Sequence, residues 1–302
     1  MKQEKDFSVI IPHKDSIHTL KRLFDSIPLS DRIEIILVDN SLIPITKDDI
    51  GINRDYKLLW SNPSRYAGGA RNVGIDKAIG KWLIFADADD YFEENAFAEF
   101  YSEYNSKADV IYYKMTGIYL DTGEYSSRGE SYSLLVKNYI EKGEEMSLRM
   151  KFISPCAKMV RREFIVNNNI YYDEVCASND VMFSTKLGFY AKNIQARDSV
   201  VYVATVSKGT LTKRRDFEVI HSRYLVTLER NKFLRSHFLN EYQSIVLHLL
   251  YQSLGCGLSK LFVLLIESIR YRQNIFLGFS KLYSGTIKFL RSEKNNSKYI
   301  VK

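Results

Sequence analysis

Apolar runs and amphipathic stretches alternate along the N-terminal part of the chain. Four short runs predict buried strands, at residues 7–11, 33–38, 56–60 and 81–86. Between the first two runs, apolar positions recur at helical spacing over residues 16–27, and a helix ending near Gly80 is predicted before the fourth run. Strands that are apolar throughout and alternate with helices indicate an α/β fold, with a mostly parallel sheet covered on both faces.

The pattern changes beyond residue 100. It predicts strand structure over 109–120, loop and helix over 131–150, a helix from near Asp180 and a strand over 198–206. After Arg215, helical patterns cover 217–235, 240–254 and 258–270, with a further stretch to about 291. We therefore expect an α/β domain over residues 1–215 and a helical region over residues 216–302.

The composition is that of a folded protein, because 45% of the residues are hydrophobic and 26% are charged. The three cysteines form no CxxC pair, which argues against a disulfide framework or a zinc site and favours a reducing cytoplasm. The apolar run after the charged N-terminus is too short for a signal peptide. No stretch of about 18 uncharged apolar residues occurs, so we expect no spanning helix.

The net charge of +7 is concentrated at the C-terminal end. Residues 214–302 hold 15 Lys and Arg against 6 Asp and Glu, whereas the remainder holds 28 against 30. Such asymmetry suggests an anionic partner, either a membrane surface or a nucleic acid. A nucleic acid is disfavoured because no recognised binding module accompanies the charge. The basic helices either pack on the α/β domain or rest on an anionic membrane; their cations include Lys260, Arg270, Arg272, Lys281 and Lys288.

Three groups of polar residues follow the predicted strands where those strands end. They are His13, Lys14 and Asp15 after the first strand, Asp39, Asn40 and Ser41 after the second, and Asp87, Asp89 and Asp90 after the fourth. Ligands of open parallel sheets bind beyond the carboxyl ends of the strands. We therefore expect the binding site at this edge of the sheet.

The acids within residues 87–90 need a source of positive charge, because neighbouring carboxylates repel one another. A divalent cation such as Mg²⁺ or Mn²⁺ would supply it and would take carboxylate and phosphate oxygens together. The alternative is a helix N-terminus, where acidic residues cap the helix and favour its dipole.

The segment from Gly68 to Gly74 is predicted as a loop that leads into a helix. Its glycines would allow close backbone approach, and Arg71 would place a fixed cation at the helix start, which suits a diphosphate. A tight turn with a surface arginine explains the same residues. The segment is not a GxGxxG, so a nicotinamide-binding site is disfavoured.

Two further acids have both a functional and a structural interpretation. Asp39 is a candidate acceptor for a nucleobase N–H, or it caps a turn. Asp180 is a candidate general base, or it caps a helix. No two histidines stand at metal-ligand spacing, and His13 is the one placed to touch a nucleotide.

Taken in order, five segments resemble the inverting family 2 glycosyltransferases of bacteria. They are residues 8–12, 34–41, 69–74, 82–90 and 178–180. The resemblance implies a GT-A fold, which is a Rossmann-like nucleotide-diphospho-sugar transferase fold. It also implies that Asp39 binds the uracil edge and that Asp180 deprotonates the acceptor hydroxyl. The other nucleotide-sugar contacts implied are Pro12, His13, Asp15, Asn40, Ser41, Gly69, Arg71, Asp87 and Ala88.

In this family Asp87 and Asp89 would be the DxD pair that serves the ribose and the metal, with Asp89 as the metal ligand. Two departures stand out. The motif at Asp39 reads Asp-Asn-Ser where Asp-Asp-Gly-Ser is commoner, and a histidine usual near the diphosphate is missing. Lys208 and Lys213 are the candidates to replace its charge.

The resemblance predicts transfer of a sugar from a UDP-sugar to a hydroxyl of a saccharide acceptor, which we expect to be lipid-linked. Capsule, exopolysaccharide or lipopolysaccharide synthesis at the inner face of the cell membrane is the expected setting, with Mn²⁺ or Mg²⁺ as cofactor. The alternatives are a nucleotidyltransferase, which would release pyrophosphate, and a non-catalytic module that binds nucleotide sugars.

Overall fold

A computed structural model describes residues 5–15, 17–206 and 215–277. The chain divides into two compact units, one ending at Arg214 and the other beginning at Arg215. Each unit has its own hydrophobic core.

The N-terminal unit carries the sheet. Its strands are β1 (Phe7–His13), β2 (Ile33–Asp39), β3 (Lys57–Trp60), β4 (Trp82–Phe85), β5 (Tyr91–Phe92), β6 (Val110–Tyr119), β7 (Tyr125–Ser126), β8 (Lys158–Arg161) and β9 (Ile194–Val206). Its helices are α1 (Leu20–Asp25), α2 (Lys47–Ile50), α3 (Tyr66–Lys77), α4 (Ala96–Ser102), α5 (Glu130–Lys142), α6 (Glu145–Lys151), α7 (Arg162–Asn167) and α8 (Asp180–Tyr190).

These strands form one sheet in the order β3-β2-β1-β4-β8-β6-β9-β5, with β7 paired to β6. β1 runs parallel to both β2 and β4, and β2 runs parallel to β3. β8 is antiparallel to both of its neighbours, while β6 and β9 are again parallel. Every residue of β1 and β2 is buried, which explains why their sequences are mostly apolar without alternation. Their buried polar residues Ser8 and Glu34 are hydrogen-bonded to each other. The predicted α/β fold is confirmed.

An aromatic cluster ties α8 to the end of β4. The ring of Tyr172 stacks on that of Phe183 with centroids 3.8 Å apart, and both rings meet Phe85 edge-on. Because Phe85 is the last residue of β4 and Phe183 lies in the first turn of α8, the start of α8 is held near the carboxyl end of β4.

The predicted loop before α3 is wrong in its extent, because α3 already begins at Tyr66. Gly68, Gly69 and Arg71 therefore lie inside the helix. A Cβ on Gly68 would stand 2.0 Å from the carbonyl oxygen of Asp173, and one on Gly69 would stand 2.3 Å from the Cβ of Arg65. The glycines usually disfavour a helix, but here they let neighbouring chain segments pack closely.

The C-terminal unit is helical, with α9 (Phe217–Ser236), α10 (Leu247–Leu254) and α11 (Leu258–Arg270). Its core includes Ile220, Tyr224, Leu250 and Leu264. The helix predicted over 240–254 begins only at Leu247, and the stretch predicted beyond α11 falls largely outside the described residues. Within the described ranges, no helix is long and apolar enough to cross a membrane.

Candidate active site

The carboxyl ends of β1, β2 and β4 meet at one edge of the sheet. β1 lies between the other two, so the strand order reverses beside it, and open α/β sheets bind ligands at such a reversal. His13 is opposite Asp39 in the β1–β2 register, and the backbone N–H of Ala86 donates to the carbonyl of Ile10 in β1. The polar groups predicted at the strand ends therefore lie along one edge of the sheet.

The first group at this edge, which we call the nucleoside end after the ligand predicted for it, consists of His13, Asp39, Asn40 and Ser41. The carboxylate of Asp39 accepts hydrogen bonds from the Ser41 hydroxyl at 2.7 Å, the Ser41 amide at 3.2 Å and the Ile45 amide at 3.1 Å. Nδ1 of His13 lies 3.0 Å from the same carboxylate. Burial favours the neutral acid, but these hydrogen bonds outweigh it and hold the pKa of Asp39 below its usual value.

The remaining residues predicted beside the nucleoside shape the loops around Asp39. The amide of Asn40 donates to the backbone carbonyls of Ser61 and Asn62, so it anchors the loop after β3. Asp15 adopts a left-handed backbone conformation with φ of 51°, and its N–H donates to the hydroxyl of Ser41. Pro12 is buried within β1, opposite Val38.

The second group is the acid segment, residues 87–90, which follows β4 after one residue, Ala86. Asp90 is buried and accepts hydrogen bonds from the hydroxyl of Tyr202 at 2.9 Å and the amide of Thr205 at 2.7 Å. The backbone carbonyl of Asp89 accepts from Arg22 and from the Thr205 hydroxyl. These contacts fix the backbone of the segment against α1 and β9.

Two carboxyl groups of the acid segment hold their protons more strongly than ordinary aspartates. Burial raises the pKa of Asp89, and the charge of Asp87 raises it further. Burial and the charges of Asp89 and Asp87 raise the pKa of Asp90 well above its usual value, against the hydrogen bond from Thr205. Both shifts favour the neutral acids, and a bound cation would oppose them.

Arg71 links the acid segment to the start of α8. Its buried guanidinium donates to Asp87 at 2.5 Å and to the side-chain oxygen of Asn179 at 2.8 Å, and it lies over the ring of Tyr172. The predicted position of Arg71 as a cation at a helix start is wrong, because it lies within α3. In its actual position it joins Asp87 to the residue immediately before Asp180.

Asp180 is the first residue of α8 and is half-buried, with Asn179 at the N-cap position. Burial raises the pKa of Asp180, and the charges of Arg71 and Lys158 partly oppose that rise. Asn179 makes no side-chain capping bond to the helix, because its oxygen accepts from Arg71 instead. A carboxylate with a raised pKa takes up a proton more readily than an ordinary aspartate does.

A buried lysine from β8 supports the start of α8. Nζ of Lys158 donates to the carbonyl of Phe152 at 2.8 Å and to the hydroxyl of Ser184 at 3.2 Å. Burial lowers the pKa of Lys158 to about 7, although the charges of Asp180 and Cys156 act in the opposite direction.

The residues around the acid segment partly fit a divalent cation. Among the described residues, one group of potential ligand atoms lies within 4.8 Å of one another; it comprises Asp87, Asp90 and Cys156 and leaves out the predicted ligand Asp89. Burial raises the pKa of the Cys156 thiol well above its usual value, and a protonated thiol is a poor ligand for a hard cation. The clustered carboxylate oxygens of Asp87 and Asp90 are nevertheless the type of ligand that a hard cation takes.

Sequence reasoning missed four residues that surround the acid segment: Arg22, Arg128, Tyr202 and Thr205. Arg128 precedes α5, is exposed and donates to the carbonyl of Thr205. Partial burial would lower its pKa, but the charges of Asp90, Asp87 and Asp89 outweigh that effect and raise it. Lys208 and Lys213, predicted to replace the missing histidine, lie outside the described residues.

The sheet order and the acids that follow β4 are those of the GT-A class of nucleotide-diphospho-sugar transferases. The sequence pattern of glycosyl transferase family 2 matches residues 8–167, which is more than half of the chain. The chain therefore belongs to this family and is a glycosyltransferase.

Two curated relatives are similar to the chain. The poly(ribitol-phosphate) beta-N-acetylglucosaminyltransferase TarS of Staphylococcus aureus is 28% identical over 217 residues, which cover 67% of this chain and 36% of TarS. The putative glycosyltransferase EpsH of Bacillus subtilis is 21% identical over 236 residues, covering 72% of this chain and 67% of EpsH. The chain thus spans about a third of the length of TarS.

Solved structures share the fold. TarS residues 1–349 in complex with UDP-GlcNAc match with a TM-score of 0.56 at 21% identity, covering 76% of this chain and 70% of the other. The mannosyltransferase PcManGT of Pyrobaculum calidifontis, in complex with GDP-Man and Mn²⁺, matches with a TM-score of 0.58 at 14% identity. The match covers 96% of this chain and 81% of PcManGT.

Proposed function

We propose that this glycosyltransferase transfers a sugar from a UDP-sugar to a hydroxyl of a saccharide acceptor, with inversion at the anomeric carbon. The observation that carries the proposal is the bridge that Arg71 makes between Asp87 and Asn179. This bridge joins an acid that follows β4 to the residue before Asp180, so the proposed donor-binding acid and the proposed base would act on the same substrate. The UDP-GlcNAc complex of TarS supports uridine as the donor nucleoside.

The nucleoside end would bind uridine. Asp39 is ionised and held in place, so it would accept the uracil N–H, while Pro12, His13 and Asp15 would line the base and ribose. Because the hydrogen bonds of Asp39 exist without a ligand, little reorganisation would be needed when the nucleotide binds.

The acid segment and Arg128 would receive the diphosphate. Asp87 and Asp89 would hold a divalent cation, Mn²⁺ or Mg²⁺, and when bound it would neutralise charge on the leaving group. Arg128 is exposed and faces the charges of the same acids, so its guanidinium is available to a phosphate oxygen. We propose that it supplies the fixed positive charge of the missing histidine.

Asp180 would act as the general base. Its carboxylate would accept the proton of the acceptor hydroxyl as that oxygen forms a bond to the anomeric carbon. The bond from the anomeric carbon to the diphosphate oxygen breaks on the opposite side, and the configuration is inverted. The raised pKa of Asp180 favours this proton transfer.

The acceptor would belong to a bacterial surface polysaccharide such as capsule, exopolysaccharide or lipopolysaccharide. We propose that it is lipid-linked and that the enzyme works at the cytoplasmic face of the membrane, with the basic C-terminal unit near anionic lipid. The acceptors to be tried include poly(ribitol phosphate), which the name of TarS specifies.

Release of nucleoside diphosphate from a panel of nucleotide sugars tests the proposal, with Mn²⁺, with Mg²⁺ and with a chelator. Metal-dependent release of UDP from one donor is the expected result, and its stereochemistry is read from the anomer formed on an added acceptor. Release of GDP or another nucleoside diphosphate would contradict the choice of uridine. Retention of configuration would contradict direct displacement.

Two alternatives have their own outcomes. Release of pyrophosphate in a parallel reaction, supplied with a nucleoside triphosphate and a sugar 1-phosphate, would identify a nucleotidyltransferase. Binding of a nucleotide sugar without turnover, with every acceptor and metal supplied, would favour a non-catalytic module.

A further inference from the structure

Helix α11 carries an exposed apolar stripe that is unusual for the outer face of a packed helix. The stripe consists of Leu258, Phe262, Ile266 and Ile269, whose side chains are between 51% and 78% exposed. Their spacing places all four within an arc of about 80°, at 100° per residue. Ser259 and Arg270 lie beyond one edge of that arc, and Leu265 and Leu261 lie beyond the other.

The opposite side of α11 is already committed to the core of the C-terminal unit. Leu264 is fully buried in that core, and the buried hydroxyl of Ser268 pairs with that of Tyr224. A helix at the surface of a soluble protein is polar on its outer side, whereas one that is apolar all round is buried or contacts lipid. The stripe is therefore not needed for the fold of its own unit.

The charges around the stripe select its partner. The sequence between Glu241 and Glu267 contains no acid, and Glu267 is paired with Arg270 at 2.9 Å. Residues 278–302, which follow in the sequence, hold six Lys or Arg against one Glu. A second copy of this basic region would be repelled, whereas anionic lipid headgroups would be attracted.

We propose that the stripe on α11 docks on an anionic lipid bilayer, with its apolar side chains at the boundary between headgroups and acyl chains. The helix has 13 residues and is about 20 Å long at 1.5 Å per residue. That length is shorter than the hydrocarbon core of about 30 Å, so α11 lies along the interface and does not span it. The inference concerns the C-terminal unit and stands whatever nucleotide sugar is the donor.

Vesicle co-sedimentation of the full-length protein tests the proposal, with phosphatidylcholine vesicles and with vesicles in which a third of the lipid is phosphatidylglycerol. The stripe variant is Phe262→Gln/Ile269→Gln. The matched control is Leu29→Gln/Phe238→Gln, which removes two other apolar side chains that are 83% and 91% exposed. All four substituted residues lie at the surface. Circular dichroism and nucleotide binding check that each variant is folded.

We expect the wild type and the control to bind the anionic vesicles, and the stripe variant to bind them roughly tenfold or more weakly. Equal binding of all three proteins would overturn the role of the stripe. Failure of the wild type to bind anionic vesicles would overturn the membrane partner. A wild-type dimer in light scattering that becomes monomeric in the stripe variant, without vesicle binding, would assign the stripe to a second copy and overturn the proposal.

Discussion

The nucleoside end and the acid segment follow neighbouring strands but differ in charge balance. Both oxygens of Asp39 accept hydrogen bonds from protein groups, and the pKa of Asp39 is lowered. The acid segment has Arg71 and Arg128 nearby, yet the pKa values of Asp89 and Asp90 are raised. The fold thus favours the charged form of Asp39, whereas it favours the neutral forms of Asp89 and Asp90.

From this difference we expect the nucleoside end to be preorganised for its ligand and the acid segment to depend on a cofactor. Asp39 is already stabilised as a carboxylate and can accept a hydrogen bond from uracil, so uridine binding should not need a metal. Crowded acids with raised pKa values become fully charged when a cation arrives, so diphosphate binding should need one. The predictions below test that division, from the largest expected effect to the smallest.

The largest effect is expected from Asp180→Asn. The amide keeps the shape of the side chain but cannot take a proton, so kcat should fall on the order of a thousandfold. UDP affinity should stay within about twofold, since Asp180 serves the acceptor. Single-turnover kinetics and UDP titration measure the two effects, and Asp198→Asn, at an exposed carboxylate paired with Lys114, is the control. A variant that retained full activity would rule out Asp180 as the base.

Asp39→Asn should weaken the binding of uridine and of UDP by the same factor. The change replaces a charged acceptor with a neutral one, which costs roughly tenfold to a hundredfold in affinity. Titration of both ligands, with metal and with chelator, measures the effect. Asp55→Asn, at an exposed position, is the control. If only UDP binding were lost, Asp39 would contact the diphosphate and not the uracil.

Arg128→Gln should show the complementary pattern. UDP affinity is expected to fall about tenfold because a charge-assisted hydrogen bond to phosphate is lost, while uridine affinity stays unchanged. Arg32→Gln is the control. Arg32 stands just before β2 and pairs with Asp6, so it lies at the amino end of the strands, away from the acid segment. Equal losses for both ligands would show that Arg128 supports the loop and not the phosphate.

The fold class could be predicted from the sequence because the first strands are mostly apolar runs without a helical spacing of polar residues. The strand-end acids could be predicted because polar residues follow those strands directly. The partners Tyr202 and Thr205 of Asp90 could not be predicted, since they lie more than a hundred residues away in β9. Such contacts depend on sheet order, which the local pattern does not encode.

The glycine-rich segment shows why local signals also misled. Two adjacent glycines and an arginine are typical of a phosphate-binding loop, and glycine has a low helix propensity. The contact of Gly68 with the carbonyl of Asp173 supplies the reason for glycine, and it depends on a segment a hundred residues later. The role of Arg71 as a bridge follows from the same long-range packing.

The smallest effect is expected from Lys158→Met. This variant tests whether the charge of Lys158 lowers the pKa of the proposed base, Asp180. Asp180 must be ionised to accept a proton, so kcat is lost as the pH falls through its pKa. Its pKa is already raised by burial, and the charge of Lys158 lowers it somewhat. Lys158 itself has a pKa of about 7 and is therefore charged on the acid limb of the profile.

Removing that charge should move the acid limb of the kcat profile to higher pH, by less than about one unit, and leave kcat at its plateau nearly unchanged. Methionine fills a similar volume, and Lys192→Met, at an exposed lysine, is the control. The measurement is kcat against pH at saturating donor and acceptor. A uniform loss of kcat at every pH would mean that Lys158 only supports the packing of α8 through Ser184, and a shift to lower pH would contradict the sign of the interaction with Asp180.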